Sequence, residues 1–235
     1  LDEGQRQWVV MARNMGAQQV VHPATAALEG FAIQDVDAYG ALLAVNLAVG
    51  LARAAIELGR NSADPRFYGQ AEAALAPWWS DGRAPNDVKL LRATIRQAFH
   101  QFDAALADLD AVLAAEPGNA QARFSRAFIH LTRGEPSKAA SDCAALEGAA
   151  LKLIKAICSA RVDALTGKGE EAAKGLITTL AQERRTNIAM KKFALTVLAD
   201  IKTGLGDWAT TTRYYQQVIT AGSADVAAVT AYADM

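Results

Sequence analysis

The chain has few of the residues from which catalytic and metal centres are usually built, and almost no net charge. Two cysteines and three histidines occur among 235 residues, and 24 basic side chains nearly balance 25 acidic ones. Cys143 and Cys158 are too few and too widely spaced for a zinc cluster or a disulfide framework, so we interpret them as small core residues. Because balanced charge gives no overall field that attracts a polyanion, we expect no nucleic-acid partner.

No local motif compensates for this shortage of reactive side chains. His22, His100 and His130 lack the His or Glu partner, three or four residues away, that a helical metal site requires. No nucleophile elbow surrounds a serine, and the Gly-Lys-Gly within Thr166 to Glu171 lacks the spacing of a phosphate-binding loop. We therefore expect a protein that is not an enzyme and that uses no cofactor and no metal.

Long apolar runs and a visible secretory signal are also missing. The uncharged stretch from Ala38 to Ala52 has 15 residues and includes Asn46, whereas a membrane span needs about 20 mostly apolar residues. We interpret this stretch as a buried helix and expect no insertion into a membrane. Because the chain starts at Leu1 rather than Met, we expect that an upstream segment was removed, so a cytoplasmic and an exported location both stay open.

What the sequence does contain favours helix. Apolar residues make up 51% of the chain, alanine is abundant and prolines number six. A repeat of about 34 residues runs through much of this helical sequence and gives four columns in constant register. The columns are Ala71, Ala105, Ala139 and Ala173; Leu75, Leu109, Cys143 and Ile177; Gly59, Ala93 and Ala127; and Trp78, Val112, Leu146 and Leu180.

Each repeat is typical of two helices joined by a tight turn, with small residues where the helices cross. Two helices approach to about 8 Å only where the crossing side chains are Gly or Ala. We therefore predict that Ala93 faces Ala105 and that Ala127 faces Ala139. The aspartates of the second helix at Asp103, Asp108 and Asp110 then flank its apolar face, so they cannot converge into a catalytic pair.

These repeats resemble the tetratricopeptide repeat (TPR) family. The segment from Arg123 to Leu146 carries the family's pattern at Arg126-Ala127, Gly134, Ala139, Asp142-Cys143 and Leu146, and the preceding unit repeats it. Later units depart from the pattern, with Arg161 and Thr211 where small residues are usual. The resemblance covers roughly Ala52 to Ile219, and it extends to a poorly characterised group of bacterial repeat proteins that are often predicted to be exported.

The resemblance implies an all-α fold: a right-handed α-solenoid of stacked antiparallel helix hairpins. We predict an N-terminal helix and connector over residues 1–36, with Trp8, Met11 and Met15 on one side of the helix, as a cap for the first repeat. The repeat array spans 37–222, with units near 52–85, 86–119, 120–153, 154–187 and 188–222. Residues 223–235 begin a further helix at Ser223, and we expect the natural chain to continue beyond Met235.

The family's recurrent Arg and Asp positions fall on Arg92 with Asp108 and on Arg126 with Asp142. Two interpretations stay open: an ion pair between the helices of a hairpin, or two independently solvated side chains. The cysteines also keep an alternative, because adjacent hairpins bring Cys143 and Cys158 together and an exported protein could join them as a disulfide.

In this family the first helices line a concave groove, and the resemblance assigns eleven residues to it. They are Arg53, Ile56 and Arg60; Leu90, Thr94, Gln97 and Ala98; and Phe124, Phe128, Leu131 and Thr132. This lining lacks the Lys and Asn clamp with which some members hold a C-terminal carboxylate. We predict an interaction scaffold whose groove binds a peptide or helix of a partner protein, anchored by Phe124 and Phe128.

The alternative is a structural or assembly element, or the repeat region of a larger protein, whose groove is filled by the chain's own N-terminal segment. The oligomeric state stays open.

Overall fold

The computed structural model of the chain describes residues 36–148, 151–183, 186–221 and 226–233. All secondary structure in these residues is helical, which confirms the predicted all-α class for this part of the chain. The α-helices are α1 (Val36–Ser62), α2 (Arg66–Ala74), α3 (Asn86–Ala98), α4 (Phe102–Ala115), α5 (Ala120–Thr132), α6 (Pro136–Ala144), α7 (Lys152–Leu165), α8 (Gly169–Gln182), α9 (Ile188–Gly204), α10 (Trp208–Thr220) and α11 (Val226–Ala233). A 3₁₀ helix (Ala76–Trp78) follows α2.

Some of the sequence predictions lie outside the described residues. These are the N-terminal helix with Trp8, Met11 and Met15, the connector with His22, and the helix start at Ser223.

Consecutive helices pack side by side in pairs: α1 with α2, α3 with α4, α5 with α6, α7 with α8 and α9 with α10. Each second helix also contacts the first helix of the next pair. The first helices contact one another in sequence from α1 to α9. The last described helix, α11, packs against α10 and also contacts α1, so the array returns to its starting helix.

The turns inside the pairs follow from local sequence. Gly134, between α5 and α6, has a φ of +71°, a left-handed conformation that glycine adopts without a steric cost. His100 occupies the equivalent place one repeat earlier, between α3 and α4, and has a φ of +58° although it carries a side chain. Downstream helices begin at polar caps: the side chains of Asn119, Asn187 and Asp207 each accept a hydrogen bond from a backbone N–H in the first turn.

The small-residue columns are buried at the helix crossings. Ala71, Ala105 and Ala139 have no exposed surface, and Ala173 is 1% exposed. On the facing helices Ala93 and Ala127 are equally buried, in the same apolar clusters as Ala105 and Ala139 respectively. A Cβ atom at Gly59 would lie 3.1 Å from the ring of Tyr68, so an alanine at this crossing would require the ring to move slightly. The predicted hairpin contacts are confirmed at these positions.

The fourth pair, α7 and α8, does not keep the predicted register. Ile177 is 42% exposed, and its neighbour Leu176 takes the buried place at 1%. Arg161, at the position where a small residue is usual, points away from the crossing, and Ala160 is buried instead. The spacing is also shorter here, since α7 begins at Lys152, two positions before the place that one full repeat from Ala120 predicts.

Helix α1 is less buried than the sequence suggested. Ala44, Ala48 and Ala52 have no exposed surface, whereas Leu42 and Leu51 are more than half exposed. By length and composition alone, Gly40–Ser62 could cross a membrane, and 28% of its most apolar window is buried in the structure. Core helices of soluble proteins meet the same criterion, so the absence of membrane insertion stays a prediction.

The two cysteines form a disulfide. Cys143 in α6 and Cys158 in α7 are bonded through their Sγ atoms, and their Cα atoms are 5.5 Å apart. Both residues are also buried, at 1% and 0% exposure. The first interpretation, two small core residues, is therefore correct about burial, and the alternative is correct about the bond.

Candidate partner-binding groove

An open pocket lies where the first helices of three successive pairs meet. Four predicted groove residues line it together: Arg53, Ile56 and Arg60 of α1 and Thr94 of α3. Glu57, Leu91 and Gln121 complete the lining, and Gln121 belongs to α5. The structure thus brings together the residues that the sequence assigned to the first end of the groove.

Two arginines and two carboxylates meet at this pocket: Glu57 lines it beside Arg53 and Arg60, and Asp87 pairs with Arg53. Arg53 donates a hydrogen bond to Asp87 at 3.1 Å, and both side chains are more than half exposed. Arg60 is exposed and makes no ion pair with any described residue. The pocket therefore presents one uncommitted guanidinium group beside a second that is weakly paired.

Leu90 and Leu131, which the resemblance assigned to the groove, are buried. They are 6% and 7% exposed and belong to the apolar clusters inside the second and third pairs. Ile56 is also nearly buried, at 3%, so it forms the floor of the pocket and not its rim. Gln97 is half-buried, while Ala98 and Thr132 are exposed at the ends of their helices.

The aromatic centre of the groove is closed by the chain itself. The ring centroids of Phe124 and Phe128 on α5 are 4.6 Å apart, and each lies within about 6 Å of the ring of Phe193 on α9 (6.0 Å and 5.9 Å). The guanidinium carbon of Arg161 lies 5.3 Å from the centre of the Phe128 ring. Phe193 was not predicted, because the repeat spacing slips before α9 and hides its register. Arg161 was noted only as a departure from the small residue that is usual at its position.

Arg161 belongs to a polar chain that links three helices of the last two pairs. It donates to Asp200 of α9 at 3.0 Å, and Asp200 accepts a second hydrogen bond from the Tyr215 hydroxyl of α10 at 3.1 Å. A second open pocket adjoins this chain, lined by Arg161, Ala164, Leu165, Val197, Asp200 and Ile201. Burial, and then the negative charge and hydrogen bond of Asp200, raise the pKa of Tyr215 to about 12.

This pKa predicts a loss of stability in alkali. A raised pKa favours the neutral phenol in the folded state, so its stabilisation is complete below pH 10 and is lost as the pH rises towards 12. We expect one tyrosine to ionise near pH 12 in ultraviolet difference spectra, and Tyr215→Phe to remove that step. Asp200→Asn is the control that keeps the phenol, and it should lower the pKa of Tyr215. An unchanged titration in Tyr215→Phe would contradict the assignment.

Asp108 of α4 joins the two helices of its hairpin through arginine side chains of α3. Arg92 is 3% exposed and donates to both carboxylate oxygens of Asp108. Its remaining nitrogen donates to the carbonyl oxygens of Trp78 and Trp79, at 2.6 and 2.9 Å. Arg96 adds a third hydrogen bond to Asp108, at 2.6 Å. The buried carboxylate is thus fully paired, and it ties α3 to α4.

The same pair recurs in the next hairpin. Arg126 of α5 donates to both oxygens of Asp142 of α6, at 2.8 and 2.6 Å, and also to the exposed Asp110. The hydrogen bond to Asp142 is the main cause that raises the pKa of Arg126. The ion-pair interpretation is therefore confirmed at both sites. Asp103 pairs separately with Arg133, so the three aspartates of α4 do not share a site.

Comparisons with known proteins add no homologue. No family model matches the chain, and no curated protein or solved structure is similar enough to match it. Among the described residues, no three His, Cys, Asp or Glu side chains lie close enough to hold a metal ion.

Proposed function

We propose that the chain is a right-handed α-solenoid of the tetratricopeptide type that binds a segment of another protein in the groove formed by its first helices. The observation that carries the proposal is the pocket shared by α1, α3 and α5, which collects Arg53, Ile56, Arg60 and Thr94. In a stack of helix hairpins, such a surface on successive first helices is the usual place for an extended or helical ligand.

The repetition of contacts supports the solenoid. Buried alanines recur once per repeat at the crossings of the first three pairs, and a bidentate Arg–Asp pair recurs at the same interval. The first helices also contact one another in sequence, as the inner layer of a curved stack does.

The two arginines of the pocket could bind an acidic side chain of a partner, in competition with Glu57, which also lines the pocket. Arg60 is exposed without an ion pair among the described residues, and Arg53 is only weakly committed to Asp87. A carboxylate of the partner could bind both guanidinium groups, since Arg presents several N–H donors in a fork that matches carboxylate geometry. Ile56 and Leu91 offer apolar contacts next to these charges. The predicted anchors Phe124 and Phe128 would then support the groove wall more than they contact the partner.

A second candidate function is a structural or assembly element. Phe193 covers the rings of Phe124 and Phe128, and α11 contacts α1, so much of the inner surface is occupied by the chain itself. Under this candidate the pocket has no ligand. The expectations of no enzyme activity, no nucleic-acid partner and no membrane insertion stay predictions under either candidate.

Selection from a random library of displayed helical peptides tests the proposal. We expect enriched peptides with a recurrent Asp or Glu, and at least about tenfold weaker binding to Arg60→Glu, equal to about 1.4 kcal/mol. Thr94→Trp should also block binding, because it fills the pocket.

Matched changes on the outer face provide the control. Lys174→Glu reverses a charge and Thr178→Trp adds the same bulk, both at exposed positions of α8. Neither should alter peptide affinity. Failure to enrich any peptide, or equal losses in the two sets of variants, would favour the structural candidate.

A further inference from the structure

The disulfide lies beside α7 and α8, a pair of helices whose described residues form no ion pair with each other. It joins the last turn of α6 to the middle of α7, and so connects the third pair of helices to the fourth. Both sulfur atoms lie within an apolar cluster that includes Ala127, Leu146 and Val162.

The fourth pair has no equivalent of the Arg–Asp pair. With Ala160 and Leu176 in the columns of Ala127 and Cys143, the places of Arg126 and Asp142 fall on Ser159 and Gly175, and the described residues of α7 and α8 form no ion pair with each other. Apolar packing has therefore replaced the polar tie between the two helices, at the same place where the repeat register shifts. Packing of this kind is less directional than a bidentate ion pair, so it constrains the rotation of α7 less.

The orientation of α7 determines the centre of the groove. Arg161, three residues after Cys158, lies over the Phe128 ring of α5 and donates to Asp200 of α9. A rotation or shift of α7 would break the contacts of Arg161 with Phe128 and with Asp200 together. It would also reshape the pocket between α7 and α9, which Arg161 and Leu165 line from the α7 side.

We propose that the Cys143–Cys158 disulfide is a covalent clasp that holds α7 in the position where Arg161 bridges Phe128 and Asp200. Reduction by a dithiol transfers two electrons and two protons to the bond, leaving two thiols on the protein and a disulfide on the reductant. The freed α7 then fluctuates about its apolar contacts, and the inner surface loses its defined shape. Since structural disulfides persist in oxidising compartments, the clasp also places the working form of the chain in such a compartment.

The first experiment establishes the bond and its effect on stability. Protein unfolded without reductant should take up no iodoacetamide, and protein treated with dithiothreitol should take up two molecules, since Cys143 and Cys158 are the only cysteines. A loop of about 15 residues gives an expected loss of roughly 6–12 °C in Tm after reduction. The reduced sample is unfolded and refolded with dithiothreitol, because both sulfur atoms are buried.

The second experiment tests the clasp itself, by hydrogen exchange of the oxidised and reduced protein. We expect at least about tenfold faster exchange in α7 and no change in α3 and α4, which are held by the Arg92–Asp108 pair. Cys143→Ala/Cys158→Ala should exchange like the reduced protein and be indifferent to dithiothreitol. Reduced wild-type protein keeps both side chains, so it separates loss of the bond from loss of core volume.

Two results would overturn the proposal. One is uptake of iodoacetamide by protein that was unfolded without reductant, and the other is unchanged hydrogen exchange of α7 after complete reduction. Neither readout needs a ligand, so the clasp is tested independently of the proposed function. Only the consequence for partner binding rests on that function, and it predicts at least about tenfold weaker binding of a selected peptide to the reduced chain.

Discussion

Asp108→Ala is expected to lower the free energy of unfolding by about 3–5 kcal/mol, because it leaves buried guanidinium charge without its partner. Arg92 is 3% exposed and depends on Asp108 for two of its hydrogen bonds, and Arg96 depends on it for another. Chemical denaturation followed by circular dichroism measures the change. An interaction between solvated side chains would give a far smaller value.

Asp110→Ala is the matched control on the same helix. Its side chain is 60% exposed, and it pairs with Arg126, which keeps a bidentate partner in Asp142. We expect a loss below about 1 kcal/mol. Equal effects of the two substitutions would contradict the description of Asp108 as a buried tie between α3 and α4.

Leu176→Ala should destabilise the protein by about 2–5 kcal/mol, whereas Ile177→Ala should cost less than about 1 kcal/mol. Leu176 is 1% exposed in the apolar cluster formed by α7 to α10, and Ile177 is 42% exposed. An uninterrupted repeat predicts the reverse order, because Ile177 continues the column of Leu75 and Leu109. Thermal and urea unfolding of the two variants therefore decide which register α8 adopts.

The difference between these neighbours shows how far the sequence could predict the fold. Ala71, Ala105 and Ala139 were assigned correctly because the first three pairs keep a constant spacing, and one alignment of the repeats is enough to place them. The shift is first seen at α7, and no motif in the sequence before Lys152 marks it. A one-residue change in register moves a side chain by about 100° around a helix, enough to exchange a buried residue for an exposed one.

The groove assignments agree less evenly with the burial of the side chains. Arg53, Arg60 and Thr94 line one pocket, whereas Leu90 and Leu131 are buried in apolar clusters, so the groove stays a prediction. A position list taken from a family does not show which of these side chains the neighbouring helices bury. Phe193 could have been found only by allowing the spacing to slip before α9.

The sequence allowed the disulfide to be predicted only as an alternative, since adjacent hairpins bring Cys143 and Cys158 together. Its selection required the distance between the two Cα atoms, which is 5.5 Å and within the usual range for a bonded pair. The number of residues between two cysteines does not determine the distance between their Cα atoms.

Hydrogen exchange of the chain with and without a selected acidic peptide tests the central claim most directly, namely that the first helices form a partner-binding surface. The account predicts slower exchange in α1, α3 and α5, where Arg60, Thr94 and Gln121 line the pocket, and no change in α4 and α6 on the other side of the hairpins. It also predicts that Arg60→Glu abolishes this protection. Protection confined to α4, α6 or α8, or protection that persists in Arg60→Glu, would contradict it.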